Sequence, residues 1–311
     1  MARNVEIIFL GTAAGTPTTS RWLPGILVKD WNGYTILLDS GEGVQYQMQR
    51  YGYSINKIDV VAITHPHGDH INGLPGLIQS MYMLDRRKPL TIYGSPETIE
   101  FVRDTLEVER LDLGFQVRLE PVENSGSRIL YSRGGDELLI EWTPSCHSIE
   151  AYSFKLTWRL RPRIDPKKLA ALGIEDPRLI SMLTKKGEIE IESKRVTLAD
   201  IALEPLKEAS LVYTGDTSPC SSIMTLASGA RILIHDSSFD SNHKLDALER
   251  GHSTAADAAE IAHKAGVHLL VLTHVSGRYR GGEARILLNE ARAIHSKTLL
   301  AWDGMKLIMT I

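Results

Sequence analysis

Between His65 and His70 the chain sets three imidazoles and one carboxylate, His65, His67, Asp69 and His70, within six residues. No other stretch restricts the fold as much, because such a cluster calls for a metal and it sits directly behind an apolar run. That run, 58–63, is short and β-branched and reads as a buried strand, while Gly68 lends the following turn backbone freedom. Two residues apart on extended chain, His65 and His67 point to one side. Asp69 and His70 come from the turn beyond. Ligands that leave in two pairs suit two adjacent ions better than one closed structural site.

Further strands end in the same manner. A strand over 5–10 runs into a small-residue loop at 11–18, and segments 26–29 and 34–39 form a hairpin around Asn32 and Gly33. Helices are expected over 44–51 and 71–83, then a strand over 90–93 and a helix capped by Ser95 with Pro96 and Glu97 in its first turn. Strands over 115–121, 137–143 and 152–158 follow. Later strands span 211–217, 232–238, 269–274 and 306–311, with helices from Ser253 or Thr254 to about 265 and over 283–293. This alternation predicts an α/β architecture with helices covering sheet faces. Five strands end on Asp39, His65, His147, Asp216 and His274, each followed by a loop-forming residue. Polar groups just past strand ends of an α/β sheet converge in one crevice, so independent strands can each donate a ligand.

The rhythm breaks between Arg159 and Arg195, where the chain is proline-punctuated and charged with little core pattern, and this stretch reads as an insertion. From Lys155 to Arg195 there are 11 basic residues, Lys185 among them, against 6 acidic, an excess of 5. The whole chain, at a net charge of −3, has no basic excess for nucleic acid, so a polyanion must meet a local patch such as this one. With 311 residues and 43% hydrophobic content a packed interior is assured. Apolar runs such as 267–272 fall far short of the roughly 20 residues of a membrane span. The N-terminus, from Met1 and Ala2 onward, reads as strand without a leader, and a cytoplasmic protein is expected. Two cysteines, Cys146 and Cys220, have no framework spacing. Cys146 beside His147 reads as an ordinary buried thiol in preference to a thiolate ligand.

These motifs together resemble the metallo-β-lactamase fold, whose dinuclear zinc motif is His-x-His-x-Asp-His, and within it the short form of tRNase Z. The resemblance rests on Phe9-Leu10-Gly11-Thr12 with Pro17, on Asp39-Ser40-Gly41-Glu42-Gly43, on the 65–70 loop, on Gly215-Asp216-Thr217 and on His274 through Tyr279. It implies a single domain over 1–311, an αββα sandwich with a flexible basic arm inserted at about 159–195. It further implies two Zn²⁺ per subunit: His65, His67 and His147 on one, Asp69, His70 and His274 on the other, and Asp216 bridging. Asp39 would orient ligands. Metal-bound hydroxide would attack the phosphodiester, with Asp69 accepting its proton. His252, in a His-Ser-Thr loop, would protonate the leaving 3′ oxygen, its pKa raised by Asp236 in a His-Asp-Ser-Ser loop where the family usually has Glu. Arg278, beside His274, is a further candidate for phosphate or ligand support. His235, His263, His268 and His295 read as structural or surface residues.

The activity implied is removal of the 3′ trailer from precursor tRNA, leaving a 3′-hydroxyl, by a homodimer whose arm clamps the tRNA elbow. The arm tip, 173–178, lacks the Gly-Pro-rich stretch of bacterial short forms. Two other readings use the same residues. One is a phosphodiesterase or related hydrolase of small substrates on the same scaffold. The other is a non-catalytic RNA-binding subunit that has kept the fold, against which stands the complete ligand set.

Overall fold

The computed structural model describes residues 3–110, 112–191, 194–203 and 207–311; Met1 and Ala2, ahead of the expected first strand, and residues 192 and 193 and the Lys185 side chain of the insertion, lie outside the described residues. The chain divides into two compact units, one of Met1–Gly126, Glu141–Lys155 and Leu211–Ile311, the other of Ser127–Ile140 and Leu156–Ser210.

In the first unit, one sheet runs in the order Lys306–Thr310, Asn4–Gly11, Gly25–Lys29, Thr35–Leu38, Val60–Ala62, Leu90–Gly94, Val117–Pro121. The pairings up to Thr35–Leu38 are antiparallel and those beyond are parallel. Parallel neighbours need crossovers, and helices Val44–Arg50, Gly73–Met83 and Pro96–Glu109 supply them. Val44, Met48, Leu74, Leu77, Ile78 and Met81 pack with Ile8, Leu10, Leu27, Leu37 and Val61. Strand residues of the opposite parity, Ile7, Phe9, Ile26, Val28, Ile36 and Leu38, are equally buried. Both faces are thus covered, which is why these strands read as continuous apolar runs.

Leu211 to Tyr213, Ile232–Asp236, Leu269–Thr273 and Thr298–Leu300 form a second set of strands in this unit, all parallel. Ala255, Ala258, Ala259, Ala262, Leu287 and Ala291 of helices Ala255–Lys264 and Arg285–Ile294 cover Val212, Leu233, Leu270 and Leu272. Thr254 caps the first of these helices in a capping box with Asp257. All these parallel strands deliver their C-terminal ends to one rim.

The second unit corrects one expectation. Residues 159–195 are not without a core pattern: Leu169, Ile174, Leu183, Ile189, Val196 and Ile201 form a small apolar core. The prolines that seemed to interrupt structure begin it. Pro166 and Pro177 open helices Pro166–Ala171 and Pro177–Lys186, capped by Asp165 and Asp176 side chains that accept from Lys167 and Arg178 amides. A proline at the first helical position loses no hydrogen bond and arrives with a helical φ. Strands Glu188–Ile191 and Lys194–Thr197 pair as a hairpin. Periodicity also misses strand Gly126–Arg133, most of whose side chains are exposed or half-buried.

Two smaller corrections concern the first unit. The expected helix over 71–83 is broken into Gly68–Ile71 and Gly73–Met83, with Asn72 between them. Cys146 is exposed, so it is not a buried thiol.

Gly73 opens the second of those helices at a close approach of backbones: a Cβ there would lie 2.0 Å from the Gly41 carbonyl oxygen. We expect Gly73→Ala to destabilise the protein by about 1–3 kcal/mol in urea unfolding, the usual cost of overpacking. It should also disturb the loop that follows Asp39, which Gly73 fixes by donating to Ser40 O at 2.9 Å.

Candidate metal centre

Asp39 follows strand Thr35–Leu38 in the left-handed region, at φ 59°, and its carboxylate is fully buried. One oxygen accepts from the Thr64 amide at 2.7 Å; the other accepts from Thr64 Oγ1 at 3.0 Å, Tyr213 Oη at 2.7 Å and His70 Nδ1 at 2.7 Å. A buried carboxylate is tolerable when its lone pairs are filled in this way. Thr64 is thereby pinned, and the chain leaves it for His65, whose Nδ1 meets Thr64 Oγ1 at 3.0 Å.

Gly68 is not left-handed here; it begins a one-turn helix, and a Cβ would meet Asn72 Nδ2 at 2.6 Å. Space beside Asn72, not backbone freedom, is what that glycine supplies. The turn lifts Asp69 and His70 to the same side as His65. Asp69 Oδ2 accepts from the Gly15 amide at 2.9 Å, so the small-residue loop after the first strand has a positioning role that its composition did not reveal.

Three strand ends of the second sheet complete the group. His147 lies just beyond Asp136–Pro144, and its Nδ1 donates to Gly251 O at 2.8 Å. His274 follows Leu269–Thr273 at φ 57°, with Nδ1 2.9 Å from Ser238 Oγ. Asp216 lies beyond Glu208–Tyr213 and is buried. In His65, His70, His147 and His274 one ring nitrogen is thus engaged by the protein, which aims the other inward.

Two clusters able to hold an ion result: His65, His67, His147 and Asp216, and Asp69, His70, His274 and Asp216, the donor atoms within each lying within 4.8 Å of one another. Asp216 is common to both. Its Oδ1 lies 3.2 Å from His70 Nε2 and 3.1 Å from His274 Nε2, while Oδ2 is 3.7 Å from His65 Nε2. His67 Nδ1 sits 3.0 Å from His65 Nε2 and 3.2 Å from His147 Nε2. His70 Nε2 and Asp216 Oδ1 are buried with no hydrogen-bond partner despite their proximity. Lone-pair donors that converge without bonding to each other fit a shared cation, and imidazole with carboxylate suits zinc. Cys146 is in no such cluster among the described residues.

A third cluster, Asp216, Asp236, His252 and His274, has a different character. Asp236 ends strand Ile232–Asp236 and is fully buried. One oxygen accepts from the Ser238 amide and hydroxyl at 3.0 and 2.7 Å, the other from Thr217 N at 3.2 Å and His252 Nδ1 at 2.8 Å. With its oxygens so occupied, Asp236 is an orienter of His252 more than a ligand, and the short aspartate side chain spans the gap. Burial opposes the charged form of His252, but Asp236 and then Asp216 prevail and raise its pKa. Burial likewise disfavours Asp236 as an anion, yet His252 holds its carboxyl far below the usual range.

The same competition runs through the ligands. Burial, reinforced by His70, drives His65 well below the ordinary histidine value, and burial lowers His147. His70 and His274 go the other way: burial is outweighed by Asp216 and Asp39 for His70, and by Asp216, Asp236 and Asp69 for His274, which is raised to about 10.

His67, Asp69, His147, Asp216, His252 and His274 line an open cleft of about 240 Å³, bounded also by Ala14, Ser238, Phe239 and Arg250. Arg278 does not line the cleft; its guanidinium stacks 4.7 Å from the Phe239 ring and pairs with Asp246 at 3.6 Å. His235 is buried, with Nδ1 2.8 Å from Asp236 O, and His263 and His268 are exposed. Sequence reading missed Tyr213, Thr64, Ser238 and the Gly251 carbonyl. All four stood in or beside a motif already in view, Thr64 before His65, Tyr213 in the strand leading to Asp216, Ser238 two residues after Asp236 and Gly251 before His252, but nothing in the spacing marked them as partners.

Comparison with known proteins supplies an independent view. A family model described as "Anti-Pycsar protein Apyc1" matches residues 5–112, about a third of the chain. Ribonuclease Z of Aeropyrum pernix is 50% identical over 308 residues, 99% of either chain. Among solved structures, human tRNase Z, short form, superposes with a TM-score of 0.68 at 23% identity, over 97% of this chain and 98% of that one. The metallo-β-lactamase fold protein YhfI from Bacillus subtilis gives 0.68 at 20%, over 98% and 100%. The α/β architecture is therefore the metallo-β-lactamase fold.

Two measurements follow from the charge balance. A ligand imidazole must be neutral, whereas His274 titrates near 10 in the ion-free protein, so metal uptake at neutral pH should release about one or more protons. Calorimetry in buffers of different ionisation enthalpy reads that release, and buffer-independent heats would contradict it. Because the His274 pKa is raised above its ordinary 6.5, its contribution to ion-free stability is fully present below that pH and is lost as pH rises through about 10. Separately, Asp39→Ala strips the partner from four donors and should cost about 3–5 kcal/mol in denaturant unfolding.

Proposed function

This chain belongs to the ribonuclease Z family, and from that premise we propose that two zinc ions, held by His65, His67 and His147, by Asp69, His70 and His274, and jointly by Asp216, carry its activity. It is an endoribonuclease that removes the 3′ trailer of precursor tRNA. The observation that carries the reading is Asp216, which belongs to both ligand clusters beside a His252 that is oriented by Asp236.

When bound, the ions supply Lewis acidity toward a phosphoryl oxygen and an activated water. The remaining work falls to side chains. Asp69, steadied by the Gly15 amide, accepts the proton that the attacking water loses. His252 donates a proton to the departing 3′ oxygen, which would otherwise leave as a poor alkoxide. Its Nδ1 is held by Asp236, so the other nitrogen, Nε2, is the one left to face the cleft. A raised pKa keeps the ring protonated to higher pH, as a general acid requires. Asp39, through Thr64 and His70, keeps the ligands aimed. The tRNA retains a 3′-hydroxyl and the trailer a 5′-phosphate.

The unit of Ser127–Ile140 and Leu156–Ser210 is, in this reading, the tRNA-binding arm of a single catalytic domain. Arg163, Lys167, Arg178, Lys186 and Lys194 are exposed on it and would neutralise phosphates without reading sequence. In the same reading, which rests on the family resemblance, the enzyme is a cytoplasmic homodimer. No helix among the described residues is long and apolar enough to cross a membrane.

Incubation with a 3′-extended tRNA transcript should give one cut at the 3′ end of the mature tRNA, abolished by a chelator and restored by Zn²⁺; cleavage indifferent to chelation would overturn the metal reading. His252→Ala should lower kcat about 10²–10⁴-fold while retaining two ions per chain by mass spectrometry. Asp236→Asn should move the alkaline limb of the kcat profile to lower pH, since it removes the charge that raises His252. Charge reversal at Lys167, Arg178 and Lys186 should raise KM for precursor tRNA and flatten its salt dependence by about 0.7–0.9 for each phosphate no longer neutralised. Hydrolysis of bis(p-nitrophenyl) phosphate, which needs no arm, checks that the centre is intact.

A further inference from the structure

Arg250 is the one lysine or arginine among the described residues that line the cleft. Its backbone is fixed on both sides by the site itself. The Arg250 amide donates to Asp246 O at 3.2 Å, closing helix Lys244–Glu249; Gly251 O holds the His147 ring at 2.8 Å; and the His252 amide donates to Ala247 O at 2.8 Å. The side chain, by contrast, is exposed, and its guanidinium makes no hydrogen bond or ion pair among the described residues. Arg278, the nearest alternative, is already engaged by Asp246 and Phe239. A rigid base with an uncommitted guanidinium at the rim of a carboxylate-lined cleft is an arrangement suited to an incoming anion.

RNA brings more than one anion to that cleft. Ions held by the ligand clusters would neutralise the scissile phosphate and would leave the neighbouring phosphates of the strand without a partner. Arg250 stands two residues from His252, and both line the cleft; in the proposed function His252 meets the departing 3′ oxygen. We propose that Arg250 binds the phosphate on the 5′ side of the last retained nucleotide, so that its fork of N–H donors sets the position of the terminal ribose against His252. This rests on the tRNA-processing reading and on the role of His252 within it. Arg250 is thus a binding residue for the retained strand, and it contributes to where the chain is cut.

The test is a cycle between protein and substrate. Precursor tRNA is prepared with either an ordinary phosphate or a neutral methylphosphonate at the linkage 5′ to the last retained nucleotide. Arg250→Ala is expected to lower kcat/KM on the ordinary substrate by about 10–100-fold, the span of one charge-assisted hydrogen bond. The wild type should lose a similar factor on the neutral substrate, and Arg250→Ala should lose little more there. Arg250→Lys should restore part of the loss, and the loss on bis(p-nitrophenyl) phosphate, which has no flanking phosphate, should be at least about fivefold smaller. Independent, multiplying losses from the two changes would overturn the proposal, as would equal loss on the small diester. Wild-type enzyme that fails to cut the ordinary substrate would instead sink the tRNA reading itself, so the two failures are distinct. Metal content and melting temperature of each variant separate a missing phosphate partner from a misfolded site.

Discussion

The carboxylate of Asp39 is the joint on which the centre turns. It sits at the end of a strand of one sheet, accepts a hydroxyl from Tyr213 on a strand of the other, and holds both Thr64 at the root of the metal loop and His70 within it. Four donors on one buried anion make removal of any partner costly, because the rest are left facing an under-filled site. The left-handed backbone at Asp39, which a β-carbon disfavours by about 1–2 kcal/mol, persists because those bonds over-determine it. His274 adopts the same conformation, tied through Ser238. Strain is concentrated where the ligands need to be aimed.

Charge explains why so polar a cluster tolerates burial. Carboxylates and imidazoles here compensate each other without metal: Asp216 raises His70 and His274, and they in turn hold it far below the usual carboxylate range. An ion-free protein can therefore fold with protons standing where cations belong. Metal held there would displace those protons, so that folding and metal uptake would be linked through pH. His252 is set apart from this exchange by Asp236, whose oxygens are otherwise filled by Ser238 and Thr217. The same type of buried carboxylate thus serves as scaffold at Asp39 and as tuner at Asp236.

In the proposed function, labour is divided between the two units. Bond cleavage needs atoms held within tenths of an ångström, and those atoms come from strand ends that share one packed core. Holding a tRNA needs charge over a wide surface, and in the proposed reading the exposed Lys and Arg on a small independent core would supply it. That core was illegible because its apolar residues are few and spaced over short helices and a hairpin. The Asp-Pro steps that start two of those helices resemble loop punctuation until their capping is seen.

Read alone, the sequence determined the ligand types, the loop from His65 to His70, the α/β order and, through motif resemblance, the tRNase Z family. These are local properties: strands declare themselves by apolar runs, and a metal loop by the density of its donors. The partners of those donors were decided only by tertiary structure. Tyr213 on Asp39, Ser238 on His274, the Gly251 carbonyl on His147 and Gly15 on Asp69 join residues 36 to 174 positions apart. Each uses a common residue type with no spacing rule to mark it. A hydrogen bond of under 3 Å depends on where two elements pack, and a one-dimensional pattern carries no record of that. The loop at His65–His70 announces a candidate metal site; the packing of two sheets around Asp39 determines where its donors converge and what stands beside them.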